Sequence, residues 1–404
     1  MKIVNKYLET NLVVKMIIGL IIGIGLGLLH KSGILNLKFI AILGDLFIQA
    51  LKGIAPVLVL FLVVTSICNR KQENVKGLKK VILLYLLGSF IAAFCAVIIS
   101  FIFPVNIPLA TMVEAPANNG DLYSVINNVL ISIVANPIQA LVDGNFLSVL
   151  FWGVLLGIAL HKANQATKLV LEDVTNGITS LVKWIINFAP FGILGIVFKT
   201  VSEFGAQGLM SYLNLIGVLL LTMAVMVFIV NPLITFLMIR KNPFPLIFKT
   251  LKTSGVTAFF TRSSAANIPV NLELCEELNL DPDMYSVSIP LGATINMGGA
   301  AITITILTLA AAHSLGLQVS FPTAIILSVI ATISACGSSG VAGGSLLLIP
   351  IACSLFGIDP ATSAAVMGAG FTISVIQDSC ETAINSSTDV LYTAIADMSS
   401  RKRK

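Results

Sequence analysis

Charged residues are scarce in this chain of 404 residues. Only 11% are Asp, Glu, Lys or Arg, whereas 56% are hydrophobic, and the mean hydropathy is +0.98. Soluble domains carry about 25% charged residues, so the composition excludes an ordinary soluble domain. Apolar runs long enough to cross roughly 30 Å of hydrocarbon recur along the sequence. The composition therefore predicts a polytopic membrane protein that works in a lipid bilayer.

The sequence also lacks the pattern of a metal centre or a disulfide framework. Its three histidines are far apart at the ends of apolar runs, and its six cysteines show neither metal-ligand spacing nor paired spacing. We therefore expect the cysteines to be small buried hydrophobic residues. We expect no organic cofactor.

The net charge of +5 does not indicate nucleic-acid binding, because the basic residues are grouped between apolar runs. They precede the first run, fill two short loops and form the terminal RKRK, whereas the segment 105–122 has no Lys or Arg. By the positive-inside rule, the basic loops and both termini are predicted to face the cytoplasm. No cleavable signal peptide is evident, because the first run is long enough to span and no small-residue cleavage site follows it.

Eight apolar segments are predicted to span the membrane. They are 12–30, 40–67, 78–104, 122–161 (expected to be broken), 170–200, 210–239, 284–312 and 361–396. Eight crossings return the chain to its starting side, as two cytoplasmic termini require. Gly19, Gly23 and Gly27 in the first span fit the small-xxx-small pattern of close helix packing. A dimer contact is the alternative for these glycines.

Two further apolar segments have polar or Gly/Ser-rich centres. Segment 245–280 contains "TSGVTAFFTRSSAANIPV", and segment 321–357 contains "ISACGSSGVAGGSLLLIP". Because backbone without helical hydrogen bonds cannot face lipid, each is predicted to be a re-entrant hairpin of two half-helices. The first would enter from the cytoplasm, after Lys252, and the second from outside. A plain extracellular loop is the alternative for the second.

Each hairpin is followed by one full span, which gives an inverted repeat with its binding site near the bilayer midplane. The predicted fold is therefore an all-α polytopic membrane protein. It has eight transmembrane helices and two re-entrant helical hairpins of opposite orientation.

The last span carries carboxylates that a membrane helix rarely tolerates. At about 100° per residue, Asp378, Thr382, Asn385 and Asp389 share one stripe, and Glu381 lies just beside it. Acids inside a membrane face the protein interior and have partners. The expected partners are a substrate amine, an alkali-metal ion or a basic side chain. The alternative is a helix that ends early and leaves Asp389 in solvent.

The seventh span contains "GATINMGGAA", residues 292–301. The Gly-Gly pair behind Asn296 and Met297 is predicted to weaken the helix and to free carbonyl oxygens. Na⁺ is a hard cation that suits carbonyl and carboxylate oxygens, so this break is a candidate part of a sodium site. A glycine kink used only for packing is the alternative.

Four motifs in matching order carry a family resemblance: "TRSSAANIP", "GATINM", "GSSGVAG" and "D…ETAIN…TD". Along essentially the whole chain, the sequence resembles the dicarboxylate/amino acid:cation symporters, and it is most similar to members that carry serine or threonine with sodium. The resemblance implies a homotrimer in a bacterial inner membrane, with spans two, four and five at the contacts. It also implies a scaffold near 1–77 and 105–205 and a moving transport part near 78–104 and 206–404.

The resemblance implies a substrate site between the hairpins and the last span. Asp378 is expected to bind the substrate ammonium, and Asn385 the substrate carboxylate. Around them lie the other residues expected at the substrate: Ser263, Ser264, Glu381 and Thr382, with Gly340 and Val341 in the second hairpin.

The resemblance also implies two sites for Na⁺ as the coupling ion. The first is expected to use Gly292, Asn296, Asn385 and Asp389. The second is expected to form only when the second hairpin closes as the extracellular gate, which would couple ion and substrate binding. Its residues would be Ala335, Cys336 and Ser338, with Thr294 and Met297.

Two departures from the family pattern bear on the substrate and the ions. Glutamate carriers of the family have an Arg at the position of Glu381, and that Arg pairs with the substrate side chain. A Glu there would repel an acidic substrate, so serine or threonine is the better fit. A further sodium site in relatives uses an Asp and a Thr where this chain has Gly298 and Gly88. We therefore expect fewer coupled sodium ions than in the glutamate carriers.

The leading hypothesis is a sodium-coupled symporter for small neutral amino acids that works by alternating access and is not an enzyme. The alternatives within transport are a proton-coupled carrier, with Glu381 taking up the proton, and a carrier of dicarboxylates or acidic amino acids. An intramembrane hydrolase would use a serine of "GSSG", but no His or Lys lies near it to act as a base. An ion channel is disfavoured because paired re-entrant gates are typical of alternating access.

Overall fold

The computed structural model describes residues 12–69, 77–109, 131, 133–338 and 343–401. Within these ranges all regular secondary structure is helical. The α-helices are α1 Leu12–Lys31, α2 Ala41–Cys68, α3 Leu78–Ile102, α4 Pro137–Asp143, α5 Phe146–Ala159, α6 Gln165–Asn187, α7 Ala189–Phe204, α8 Ala206–Val225, α9 Asn231–Ile239, α10 Phe244–Thr250, α11 Val256–Thr261, α12 Ile268–Glu277, α13 Pro282–Ile295, α14 Gly298–Ser314, α15 Phe321–Ala335, α16 Ile349–Ser354 and α17 Pro360–Arg401.

Short non-α segments extend several of these helices. Three are 3₁₀-helices, at Lys38–Ile40, Leu160–Lys162 and Gly344–Leu348. Two are π-helical, at Met226–Val230 and Leu251–Gly255. The π segments keep α8 continuous with α9, and α10 continuous with α11, so that each pair forms one rod.

Five helical stretches in the described residues are long and apolar enough to cross a membrane. They are Val14–Lys31, Lys38–Cys68, Leu78–Ile102, Gln207–Ile239 and Pro282–Ser314. They coincide with the predicted spans one, two, three, six and seven. The pair α6 and α7 becomes a sixth if it is one bent span. The chain is therefore a multi-pass membrane protein, and the predicted number of eight spans stays a prediction.

The fourth and the last predicted span are not among these five apolar stretches. Of segment 122–161 the structure describes α4 and α5, and these are separated at Gly144, which has a left-handed backbone with φ 67°. The expected break is thus present. The last span is one helix, α17, of 42 residues. Its many polar side chains lower its hydropathy, although nearly all of them are buried.

The span predicted over 170–200 contains a bend that the sequence analysis did not anticipate. The chain there forms two helices, α6 and α7, which are bent by 50° at Phe188. Pro190 lies in the first turn of α7. Proline has no N–H to donate to the preceding turn, so it fits the start of a new helix better than the middle of an old one.

Each of the two segments predicted as hairpins contains two helical arms. In the first, α10 and α11 lead to a turn at 262–267, and α12 returns. Its first arm begins at Phe244, one residue before the predicted bound of 245, and Lys252 lies on this arm. Entry into the membrane after Lys252 stays a prediction. In the second, α15 leads to the tip, and the 3₁₀-helix with α16 returns; residues 339–342 at the tip lie outside the described residues.

Helix α17 is the centre of the fold. It packs against α13, α14, both arms of the first hairpin and the returning arm of the second. Its side chains are buried along almost the whole length from Thr362 to Ser399. A helix enclosed in this way can place polar side chains in the interior, where lipid does not reach them.

The three glycines of α1 lie at the contact with α7. A Cβ atom at Gly23 would lie 2.7 Å from the Leu194 carbonyl oxygen, and one at Gly27 would lie 2.8 Å from Val201 Cβ. Gly19 meets the backbone of Pro190 in the same way. The prediction of ordinary helix packing is therefore confirmed: the glycines let two helices of the same chain approach closely.

Gly23→Leu is expected to destabilise the protein by about 1–3 kcal/mol, because the new side chain overlaps the α7 backbone. Gly25→Leu is the matched control, since a Cβ atom at Gly25 meets nothing within 4 Å. The measurement is the thermal unfolding midpoint of each purified variant in detergent. Equal midpoints for the two variants would contradict the packing role of Gly23.

Candidate functional site

Three interruptions of helical structure converge on the middle of α17. They are the turn of the first hairpin at Arg262, the break between α13 and α14 at Asn296–Met297, and the start of the returning arm of the second hairpin at Gly343. Helix ends leave N–H and C=O groups without intrahelical partners. The Gly-Gly pair predicted this break, and the second half-helix begins at the pair itself, at Gly298.

Asp378 joins both hairpins to α17. Its Oδ2 accepts a hydrogen bond from Arg262 Nε at 2.7 Å, and its Oδ1 accepts one from the Gly343 N–H at 3.2 Å. The Arg262 side chain is 8% exposed and that of Asp378 3%, so this is a buried ion pair. A basic side chain was among the expected partners of Asp378, but Arg262 was not assigned to it. The sequence held a signal for this pair, because Arg262 is the one basic residue in the stretch 253–280.

Glu381 is held by neutral donors from three elements. Its Oε2 accepts from Thr303 Oγ1 at 2.7 Å, from Ser345 Oγ at 2.9 Å and from Gln377 Nε2 at 2.5 Å. Thr303 is on α14, Ser345 is on the returning arm of the second hairpin, and Gln377 is one turn earlier on α17. The sequence analysis missed all three donors. Only Gln377 could have been found from spacing, because it lies four residues before Glu381.

Asn385 ties α17 to the start of α14. Its Oδ1 accepts from the Gly299 N–H at 2.7 Å, and its Nδ2 approaches Met297 Sδ at 3.4 Å. A Cβ atom at Gly299 would lie 2.7 Å from the Glu381 carbonyl oxygen. The glycine therefore serves packing, the alternative raised above, and it also directs a free backbone N–H to Asn385.

Asp389 has one carboxylate oxygen that accepts a hydrogen bond and one that does not. Its Oδ1 accepts from Asn296 Nδ2 at 2.8 Å, and Asn296 Nδ2 is also 3.1 Å from the Asn385 carbonyl oxygen. A Cβ atom at Gly292 would lie 2.6 Å from Asp389 Oδ1. Asp389 is 0% exposed, and its Oδ2 has no hydrogen-bond partner among the described residues.

A buried carboxylate oxygen without a donor is costly unless a cation is bound there. The four residues expected at the first sodium site, Gly292, Asn296, Asn385 and Asp389, are brought together in the structure. Their oxygens are hard donors that suit Na⁺. The alternative of a solvated Asp389 is wrong, because α17 continues past it to Arg401.

The residues expected at the second sodium site are brought together in part. The Cys336 thiol, at the end of α15, donates to the Ile295 carbonyl oxygen at 3.4 Å, so the hairpin tip lies against the α13–α14 break. Buried residues on the two sides of this contact are Met297, Ala335 and Ser338. The Thr294 hydroxyl instead donates to Leu291 in its own helix at 2.8 Å.

Two of the three hydroxyl groups expected at the substrate, those of Thr382 and Ser263, contact local backbone. Thr382 Oγ1 donates to the Asp378 carbonyl oxygen at 2.7 Å. Ser263 Oγ accepts from the Ala266 N–H at 3.2 Å, and Ser264 is buried. Gly340 and Val341, also expected at the substrate, lie outside the described residues.

A second buried network fastens the first hairpin to α17. Asn267 Nδ2 donates to Ser386 Oγ at 2.8 Å and to Ser254 Oγ at 3.1 Å, and Asn271 Nδ2 donates to Ser386 Oγ at 3.0 Å. All four side chains are 0% exposed. Both arms of the hairpin are therefore fixed to one serine of α17. The sequence analysis noted Asn267 but not this network.

The charges of the site are unbalanced. Three carboxylates, on Asp378, Glu381 and Asp389, face one guanidinium, that of Arg262, in the described part of the core. Buried charges persist only where partners or bound ions compensate them. The arrangement is therefore suited to binding cations, whether an ammonium group or an alkali-metal ion.

The chain matches a known protein family along nearly its whole length. The profile of the sodium:dicarboxylate symporter family matches residues 12–399, which is nearly the whole chain.

Removing Arg262 is expected to destabilise the protein strongly, because Asp378 would keep a buried charge without its partner. For Arg262→Met we expect a loss of about 3–5 kcal/mol. The control is Lys249→Met, whose ion pair with Glu277 is 3.2 Å long but 40% and 53% exposed. We expect it to cost less than about 1 kcal/mol. The measurement is the unfolding midpoint in detergent. A loss for Arg262→Met no larger than that of the control would show that the buried pair does not stabilise the fold.

Proposed function

Because the chain belongs to the sodium:dicarboxylate symporter family, we propose that this multi-pass membrane transporter imports small neutral amino acids, serine and threonine, together with Na⁺. The family is a family of transporters that couple sodium to dicarboxylate or amino acid uptake. Within that range of substrates, we propose the neutral amino acids.

The surroundings of Glu381 carry this proposal. In the described residues its carboxylate has three neutral donors and no cationic partner, and it is buried near a second acid, Asp378. An acidic amino acid would bring a side-chain carboxylate into this region of negative charge. Like charges in a water-poor pocket cost several kcal/mol. Serine or threonine has no such group, and its hydroxyl can donate to an acceptor.

The remaining substrate contacts follow the family pattern. Asp378 would bind the ammonium group, sharing its carboxylate with Arg262 and the second hairpin. Asn385 with Ser263 and Ser264 would bind the substrate carboxylate. Thr382, Gly340 and Val341 would line the same pocket.

The coupling ion would bind first at Asp389. Its unpartnered Oδ2, with backbone and amide oxygens of Gly292, Asn296 and Asn385, supports a Na⁺ site there. A second Na⁺ would bind among Thr294, Met297 and the end of α15 once the second hairpin closes. Ion binding would then favour the closed hairpin, and the closed hairpin would complete the ion site.

Fewer sodium ions would be coupled than in the glutamate carriers. A Cβ atom at Gly88 would lie 2.5 Å from the ring of Tyr392, whose hydroxyl donates to Asn231 Oδ1 at 2.9 Å. The ring therefore fills the space on that side of α3. Gly298, the other position where relatives have an ion ligand, lies beside Ala92 Cβ. Neither glycine offers a side-chain oxygen.

The family resemblance extends the proposal to the assembly. The protein would be a homotrimer in a bacterial inner membrane, with both termini in the cytoplasm and spans two, four and five at the contacts. The transport part, near 78–104 and 206–404, would move against the scaffold, near 1–77 and 105–205, to give alternating access.

Radiolabelled serine uptake into proteoliposomes tests the proposed function. We expect uptake to require an inward Na⁺ gradient, and we expect excess threonine, but not glutamate or aspartate, to compete. Uptake driven by a proton gradient in Na⁺-free buffer would instead support a proton-coupled carrier. Competition by glutamate would show that Glu381 does not exclude acidic substrates.

Asp389→Asn tests the ion site. Removing the charge is expected to raise the Na⁺ concentration for half-maximal serine uptake at least about 10-fold, which corresponds to about 1.4 kcal/mol of binding free energy. The control is Asp397→Asn, which removes a buried acid of the same helix that pairs with Arg401 at 2.6 Å. Its Na⁺ dependence is expected to stay at the wild-type value. An unchanged Na⁺ dependence in Asp389→Asn would remove Asp389 from the ion site.

A further inference from the structure

We propose that the Tyr85 hydroxyl positions the ligands of the sodium site by fixing α13 to α17 beside Gly292 and Asp389. The inference rests on the ion site of the proposed function and adds to it a residue from a third helix, α3. Tyr85 acts through the two helices that carry the proposed ligands, so it is a positioning residue.

Tyr85 reaches from α3 into the contact between α13 and α17. Its hydroxyl lies 3.1 Å from the Ser288 carbonyl oxygen, 3.2 Å from the Asp389 carbonyl oxygen and 3.0 Å from Thr393 Oγ1. Ser288 is on α13, whereas Asp389 and Thr393 are on α17. All four residues are 0% exposed. One hydroxyl therefore bonds both helices at a place where water does not reach it.

The proposed ligands lie between two contacts of this kind. Gly292 is one helical turn after Ser288 and one turn before Asn296, which is about 6 Å along the axis in each direction. Asn296 Nδ2 donates to Asp389 Oδ1 at 2.8 Å and fixes the end of α13 to α17. Tyr85 does the same at Ser288. The backbone of Gly292 and the carboxylate of Asp389 are thus held in place from both sides.

The Tyr85 hydroxyl also lies against the ion site itself. A Cβ atom at Gly292 would lie 2.9 Å from the Tyr85 hydroxyl oxygen and 2.6 Å from Asp389 Oδ1. Gly292 therefore packs against both groups, and a residue with a side chain would collide with them. The hydroxyl is a direct neighbour of the proposed ligands, which a residue that only fills the core need not be.

Two further hydroxyl groups hold the Tyr85 hydroxyl in its orientation. Ser288 Oγ lies 2.8 Å from Thr393 Oγ1, which in turn lies 3.0 Å from the Tyr85 hydroxyl. A tyrosine hydroxyl has one proton to donate and can also accept. Ser288 can donate to Thr393, Thr393 to Tyr85, and Tyr85 to a carbonyl oxygen. Every proton of this cluster then has an acceptor, so turning Tyr85 away would break more than one bond.

The position of the ligand oxygens decides which ion is bound and how tightly. Cation sites select by cavity size, ligand number and flexibility. Loss of a group that only orients the ligands weakens metal binding by about 10- to 100-fold. Without the Tyr85 hydroxyl, the bond that joins α13 to α17 at Ser288 would be lost. The spacing between Gly292 and Asp389 would then be less well fixed.

The first test measures Na⁺ binding without transport. A bound ion raises the unfolding midpoint of the purified protein, so a Na⁺ titration in detergent, with choline chloride to keep the ionic strength constant, gives the concentration for half-maximal stabilisation. Tyr85→Phe keeps the ring and removes the hydroxyl. We expect it to raise that concentration about 10-fold. We also expect the ratio of the half-maximal Li⁺ and Na⁺ concentrations to move towards one, because a looser site discriminates less by size.

Tyr392→Phe is the matched control. Tyr392 is 2% exposed, its ring centre lies 6.3 Å from that of Tyr85, and its hydroxyl donates to Asn231 Oδ1, outside the proposed ion site. Each variant loses one buried hydroxyl. A general loss of stability would lower both midpoints in Na⁺-free buffer, whereas only Tyr85→Phe should shift the Na⁺ dependence.

Serine uptake by proteoliposomes gives a second readout. Tyr85→Phe should raise the Na⁺ concentration for half-maximal uptake about 10-fold and change the KM for serine at saturating Na⁺ by less than about 2-fold. If Tyr85→Phe does not fold, Thr393→Val, which removes the hydroxyl that bonds Tyr85, decides by the same measurements. Thr393→Ser should then restore the wild-type Na⁺ dependence.

The inference is overturned if Na⁺ stabilises the wild-type protein but Tyr85→Phe keeps the wild-type Na⁺ dependence, or if Tyr392→Phe shifts it equally. No stabilisation of the wild-type protein by Na⁺ overturns the proposed ion site, and the inference with it. Stabilisation by Na⁺ without Na⁺-driven serine uptake overturns the proposed transport alone, and the titration of Tyr85→Phe still decides the inference.

Discussion

The structure depends on keeping three carboxylates of α17, those of Asp378, Glu381 and Asp389, in an interior where, among the described residues, one guanidinium faces them, that of Arg262. A buried charge without a partner costs several kcal/mol. Asp378 is stabilised by Arg262 and a backbone N–H, Glu381 by three neutral donors, and Asp389 by one amide that leaves its second oxygen without a donor. The elements packed around α17 provide the donors to these three carboxylates.

The interruptions of the helices provide the hydrogen-bonding groups that surround these carboxylates. A continuous helix uses its own N–H and C=O groups, and only its ends can offer them to a neighbour. The turn at Arg262, the break before Gly298 and the returning arm at Gly343 all meet α17, and each directs a donor to the site. Because the hairpins and the broken span are separate elements, a substrate or ion bound between them would favour the conformation in which they close together.

Local sequence pattern predicted the parts of this fold that depend on length and hydropathy. The bounds of α1, α2 and α3 differ from the predicted spans by a few residues, and the Gly-Gly pair marked the α13–α14 break. The bend at Phe188 was missed, since a proline in the first turn of a helix resembles one inside a span. Thr303 and Ser345 were missed because their contacts with Glu381 join residues far apart in sequence, which no helical periodicity encodes. The substrate, the ions and the trimer stay predictions.

The charge balance links the departures from the family pattern to one another. Relative to the glutamate carriers that the chain resembles, an ionised Glu381 in place of their Arg would make the site more negative by two charges. A substrate without a side-chain carboxylate would offset one of these. Gly298 in place of their Asp would leave the balance unchanged if the sodium ion at that Asp were lost with it. One extra negative charge would then remain to be stabilised by dipoles, and Glu381 accepts three neutral donors on one oxygen. Neighbouring dipoles of this kind make a buried carboxylate tolerable in an interior of low dielectric.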